Sequence, residues 1–240
     1  MSDVDDAWFP ERIATTVRAF AQKPDLVLTY CDAELTDSAL RPTGRTLFDV
    51  REGMQLRKVP TAHQLGRGIG YNGPMIVFYA YLKPHILPFS NQWPQDHWVS
   101  FLAYAVGKAA YIDQPLLYYR RHGQNLGGDP DLDGGFWHRL RVAARHSRPD
   151  NYAHRVRRFT AMLDRLREIE HRGLPLKPGN RLHELIEECE DCLRFARFRQ
   201  GLKSRFRIFR APIALPSLLN GAYRHHAHGV KSFLHDIATK

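Results

Sequence analysis

Asp3, Asp5 and Asp6 put three carboxylates within four residues near the amino end of the chain, and Trp8, Phe9 and Pro10 follow at once. In an extended segment Asp3 and Asp5, two apart, share a face. Carboxylates held that close repel, and one takes up a proton unless a cation sits between them. Mg²⁺ or Mn²⁺ accepts such oxygen ligands, usually one or two carboxylates together with substrate phosphates. The chemistry this spacing suits is a divalent-metal bridge to a diphosphate. The same residues also suit a solvated terminal stretch in which Asp6 caps the helix that follows. Trp8, beside the cluster, suits packing.

The elements that must hold these groups are legible in outline. Ile13, Val17 and Phe20 fall at helical spacing, which predicts an amphipathic helix over 10–22 with Pro10 in its first turn. The apolar run 26–31 reads as a buried strand closed by Asp32, with Asp37 in a turn. Residues 40–70 lack a clean period and read as a long loop. A turn containing Gly73 leads to a strand over 75–79 and a short helix over 79–85. Residues 96–107 predict a second amphipathic helix, with Trp98, Leu102, Ala105 and Val106 on one side and Asp96 at its start, where Asp is a common cap. Two short strands, 109–112 and 116–120, are joined through Asp113-Gln114-Pro115. Helices are predicted over 136–146, 152–172 and 181–200, and short amphipathic pieces fill 206–240.

Composition narrows the classes. At 240 residues and 43% hydrophobic content the chain is long and apolar enough to bury a core. No apolar run approaches the roughly 20 residues a membrane-spanning helix needs, and no secretory signal is apparent. The location this predicts is cytoplasmic, with peripheral attachment to the inner face of the cell membrane as an extension. Charge is unevenly placed. Residues 1–133 carry 13 Lys/Arg against 15 Asp/Glu, a net of −2, whereas 134–240 carry 22 against 10, a net of +12. The basic back half favours an anionic partner. Cys189 and Cys192 form a C-x-x-C inside a helical pattern without a second pair, which argues against a metal or redox role, and the composition suits a reducing compartment.

Several stretches line up in order: the acidic segment Ser2 to Pro10, then Tyr30-Cys31-Asp32-Ala33, Gly73, Gln95-Asp96-His97-Trp98, Gly107 to Leu116, and Tyr119-Arg120-Arg121-His122-Gly123-Gln124-Asn125. Together they resemble the second half of a family 2 glycosyltransferase of the GT-A fold, in particular the rhamnosyltransferase-like bacterial members that build surface polysaccharides. The resemblance covers about residues 2–128. It implies an α/β fold, an incomplete GT-A-type mixed sheet flanked by helices, over 1–133, with a mostly helical basic region over 134–240. It further implies that Asp3 and Asp5, with Asp6 beside them, hold a divalent metal on the diphosphate of a nucleotide-sugar donor. His122 would lie near that metal, and Asp96 would be the general base on the acceptor hydroxyl. Trp8, Gly73, His97 and Trp98 would border the sugar or acceptor. Gly73 also suits a plain turn, and Trp8 and Trp98 plain packing. Inversion at the anomeric carbon and a glycan or lipid-linked acceptor follow from the family.

The chain departs from the family in one respect: the nucleotide-binding half that precedes the acidic motif is not in this sequence. The expectation is that a longer gene product or a second polypeptide supplies it, or that the chain is a remnant. A second class of function is a non-catalytic module whose basic helical back docks on an anionic membrane surface or a partner protein. Nucleic acid is the less favoured anionic partner, because no reading motif is present.

Overall fold

The computed structural model describes residues 5–50, 73–121 and 151–238. Among them it is an α/β protein with a five-stranded mixed sheet and nine α-helices. The chain begins with β1 (Ala7–Trp8), α1 (Arg12–Gln22), β2 (Leu26–Thr36), β3 (Pro42–Thr46) and α2 (Leu47–Val50). After the 3₁₀ turn Gly73–Met75 come β4 (Ile76–Phe78), α3 (Lys83–Ile86), α4 (Gln95–Val106) and β5 (Lys108–Arg120). The remainder is helical: α5 (Asn151–His171), α6 (Leu182–Lys203), α7 (Arg207–Leu219), α8 (Ala222–His226) and α9 (Val230–Ala238). No helix among the described residues is long and apolar enough to cross a membrane. The expected helix over 136–146, the boundary at 133/134 and most of the expected loop lie outside the described residues.

The strand β2 organises the sheet. It pairs parallel with β5 from Leu26↔Lys108 to Thr36↔Arg120, and antiparallel with β4 and β3 on its other side. It does not stop at Asp32. That carboxylate is buried, and its Oδ1 accepts the Ala33 N–H at 2.7 Å and the Phe48 N–H at 3.2 Å, so the strand runs through it. Asp37 is the turn residue expected, accepting the Ala39 and Arg41 N–H groups. The two short strands read around Asp113-Gln114-Pro115 are one strand, β5. Its pairing jumps from Cys31↔Ile112 to Asp32↔Pro115, so Asp113 and Gln114 form a bulge that also accommodates a proline without an N–H.

Two helices differ from their expected faces. Every residue of α4 from Trp98 to Val106 is buried, so this helix is enclosed rather than one-sided. The first helix, α1, is turned around. It buries Arg12 and Thr16 and leaves Ile13 51% and Val17 60% exposed. The main core runs without a break from β2, α4 and β5 into α5 and α6, through residues such as Phe159, Met162, Leu185 and Leu193. Cys189 and Cys192 are buried free thiols in that core. A second small core, including Phe195, Tyr223 and Phe233, holds α6 to the last three helices.

Candidate functional site

The acidic stretch is tied to the far end of β5. Strand β1 pairs antiparallel with it, Ala7 opposite Tyr118 and Trp8 opposite Leu117, and the Phe9 N–H donates to the Leu116 carbonyl. Asp5 and Asp6 are half-buried, and Asp6 Oδ1 accepts the Arg120 N–H at 3.1 Å. Next to them lies a residue that sequence reasoning passed over. Arg12 is fully buried, its guanidinium carbon 4.5 Å from the Trp8 ring centre, and its Nη2 donates to the Pro74 carbonyl. Trp8, Asp6 and the turn that Gly73 opens are thus gathered about one cation. Burial pulls the Arg12 pKa below its ordinary value, with Cys31 and Asp6 opposing. Among the described residues its Nε and Nη1 are buried without a hydrogen-bond partner. Cys31, donating to the Met75 carbonyl, is pushed up to about 11 by burial and is a thiol at neutral pH.

A second group forms at the start of α4. Pro94, not Asp96, is the N-cap residue, so Asp96 lies in the first turn, where the helix dipole favours a negative charge. Its Oδ1 accepts the N–H of His97 at 2.8 Å. From α5, Arg158 reaches this turn with its guanidinium carbon 3.9 Å over the Trp93 ring. Burial and the neighbouring Arg155 pull Arg158 down to about 10, with Asp96 opposing. His97 is likewise lowered, first by burial, against the attraction of Asp96. Among the described residues His97 Nδ1 and Arg158 Nε and Nη2 are buried without hydrogen-bond partners. Trp98 is a core residue, its Nε1–H donating to the Ile86 carbonyl at 2.8 Å, while Trp8 remains 40% exposed.

The elements that carry the two groups, β1 and α4, both contact β5. The helix α4 ends at Gly107, where an added Cβ would come 2.7 Å from Val27 Cγ1, and Lys108 N–H donates to the Asp25 carbonyl. Its C-terminus therefore abuts the starts of β2 and β5. Twelve residues of helix rise ~18 Å away from that point. The first turn that carries Asp96 is at the other end of this helix, and Asp6 meets Arg120 at the C-terminal end of β5. Asp3 and His122 lie outside the described residues. Among those described, no group of three or more His, Cys, Asp or Glu is gathered to hold a metal. Asp5 and Asp6 alone suit the sparse mode in which one or two carboxylates share Mg²⁺ with phosphates.

A third polar cluster, far along the chain, has a different character. Asp236 is fully buried and accepts Arg199 Nε at 2.6 Å and Nη2 at 2.8 Å, together with the hydroxyls of Tyr223 and Tyr152. Beside it lies a cavity of about 20 Å³, room for a single water, lined in part by Tyr152, Cys192, Arg199 and His226.

Comparison with known protein families, with characterised proteins and with solved structures finds no match. The functional reading therefore rests on the residues themselves. Arg12 carried a weak signal, since it and Thr16 are four apart on the polar side of the α1 pattern. Arg158 carried none that separates it from its neighbours Arg155 and Arg157.

Proposed function

We propose that the chain is the acceptor-side part of a family 2, GT-A-type glycosyltransferase. It would move a sugar from a nucleotide-sugar donor to a glycan or lipid-linked acceptor. One observation supports this reading: the acidic stretch ending at Asp6 is held by Arg120 at the C-terminal end of β5, and Asp96 opens α4, the helix that leads into β5 and contacts β2 and β5. Ligands of open α/β sheets bind outside such strand ends.

In this reading Asp3 and Asp5 hold a divalent metal, with Asp6 and His122 beside it. Bound there, the metal supplies charge neutralisation for the departing nucleoside diphosphate. Asp96 accepts the proton of the acceptor hydroxyl as that oxygen attacks the anomeric carbon. One base without a carboxylate nucleophile corresponds to inversion. Arg12 acts through its neighbours, holding Trp8 and the Gly73 turn against the acidic stretch.

The test is sugar transfer by the chain together with the nucleotide-binding half that the resemblance implies. Asp96→Asn is expected to lower turnover by at least ~10²-fold while donor affinity stays within about twofold. Normal turnover by that variant removes Asp96 from the role of base. Donor binding that ignores both chelation and Asp5→Asn removes the metal bridge.

A further inference from the structure

The helix α7 shows its apolar side to the outside. Along R-I-F-R-A-P-I-A-L-P-S-L-L, Ile208, Leu215 and Leu219 fall within about 40° of one another at ~100° per residue, with Phe209 flanking them. Ile208 and Leu219 are each 77% exposed, and Phe209 and Leu215 are exposed as well. Next to it, α9 adds exposed Val230 and Leu234, four apart. The buried side of α7 instead carries Arg210 and Ala214.

That orientation is held in place. Arg210 Nε donates to the Arg205 carbonyl and Nη2 to the Lys203 carbonyl, each at 2.9 Å. These carbonyls close the C-terminal end of α6, where a cation is favoured by unpaired acceptors and the helix dipole. Rolling α7 to hide its apolar side would pull Arg210 out of this arrangement. A packing accident would carry no such anchor.

Charge identifies the occupant. Residues 203–238 hold six Lys/Arg and a single carboxylate, Asp236, which is fully buried against Arg199. Arg205, Arg207 and Lys231 are exposed. The outward surface thus combines large apolar side chains with positive charge and carries no negative side chain. A second copy of the chain would bring like charges together around the apolar contact. An anionic bilayer offers both halves of the complement, acyl chains for the apolar ridge and phosphates for the cations.

We infer that α7 lies in the plane of an anionic lipid surface. Ile208, Phe209, Leu215 and Leu219 enter the boundary between headgroups and acyl chains, and Arg205, Arg207 and Lys231 face the lipid phosphates. This surface stands or falls independently of sugar transfer.

Co-sedimentation of the whole chain with phosphatidylcholine vesicles, with and without about one third phosphatidylglycerol, tests it. Binding is expected on the anionic vesicles and at least ~10-fold weaker on the neutral ones. It should fall as salt rises from about 0.1 to about 1 M, where the Debye length shrinks from ~10 to ~3 Å. Ile208→Glu with Leu219→Glu, both exposed and checked for retained helicity and melting, should cut binding at least ~10-fold. Arg205→Glu and Lys231→Glu should each cut it about fivefold or more. Ile13→Glu, also at an exposed position but on α1, should leave it unchanged. The inference is overturned by absent vesicle binding, by equal binding to neutral vesicles, or by indifference to the α7 pair. It is also overturned if Ile13→Glu has the same effect, or if the wild type is a dimer that the α7 pair converts to monomer.

Discussion

Arg12 in the sheet region and Arg199 in the helical region are both buried arginines, and they are treated in opposite ways. Arg199 donates from two nitrogens to Asp236, reaches the Tyr152 hydroxyl at 3.4 Å, and lies 4.9–5.8 Å from the ring centres of Tyr152, Phe195 and Tyr223. Burial lowers its pKa, but the Asp236 carboxylate more than offsets this, so the net shift is upward. Among the described residues Arg12 has a hydrogen bond to one carbonyl and two buried nitrogens without a partner, and its pKa falls. Satisfied buried charge fixes how helices pack. Unsatisfied buried charge beside an acidic stretch stabilises little and is a feature of sites. Arg158, beside Asp96, belongs with Arg12 in this respect.

The largest effect should come from the satisfied network. Asp236→Ala leaves Arg199 buried without its counter-ion and strips the acceptor from two tyrosines. It should cost ~3–5 kcal/mol in urea unfolding. Replacing the pair together, Arg199→Met with Asp236→Leu, should recover most of that loss. A loss below ~1 kcal/mol for Asp236→Ala would erase the contrast between the regions. Next comes Gly107→Ala in the sheet region. Its Cβ would press on Val27 Cγ1 at 2.7 Å and the Asp25 carbonyl at 3.1 Å, where backbone has little room to yield. About 1–3 kcal/mol of destabilisation is expected by thermal melting.

The same contrast explains what could be read from sequence. The apolar run of β2 announced itself, because continuous hydrophobicity has few outcomes, whereas α4 was read as one-sided and is enclosed. The faces of α1 and α7 did not announce themselves. Periodicity locates an apolar side, but which side turns inward depended on Arg12 meeting Pro74, 62 residues away, and on Arg210 meeting the end of α6. Asp32 looked like a strand end because its acceptor demand is met by Phe48, sixteen residues on. At the candidate site, Asp96 was legible as a helix-start carboxylate. The arginines that frame the two groups were not, since burial of a cation is decided by tertiary partners.

Acid should unfold the two regions in different windows. His85 is buried against the carbonyls of Pro175 and Tyr81, and burial outweighs those acceptors to lower its pKa. A histidine with a folded pKa below its unfolded value of ~6.5 takes up protons more readily when unfolded. Its contribution is therefore full above about pH 6.5 and is lost as pH falls, at no more than ~1.4 kcal/mol per pH unit. His85→Gln should flatten the stability curve between about pH 6.5 and 5. Asp236 answers later. Burial raises its pKa, but Arg199 and the two tyrosine hydroxyls bring the net shift below the ordinary value. Its contribution is present above about pH 4 and is lost only below that. Equilibrium unfolding followed at several pH values separates the two. A single transition with the same pH slope in wild type and His85→Gln would count against the assignment.

The smallest effect on stability, and the most informative, is expected from Arg12→Met. The substitution keeps much of the volume and removes a charge that has lost its water while gaining one hydrogen bond. Stability should change by less than ~1 kcal/mol in either direction, because exchanging a poorly paired buried ion for an apolar side chain is close to neutral. Under the proposed function the same change should weaken metal-dependent binding of a nucleoside diphosphate, since Trp8 and the Gly73 turn lose the group that gathers them. Calorimetric titration in the presence of Mn²⁺ reads this directly. Loss of stability as large as that of Asp236→Ala, with diphosphate affinity untouched, would make Arg12 a second Arg199 and leave the acidic stretch without its neighbouring support.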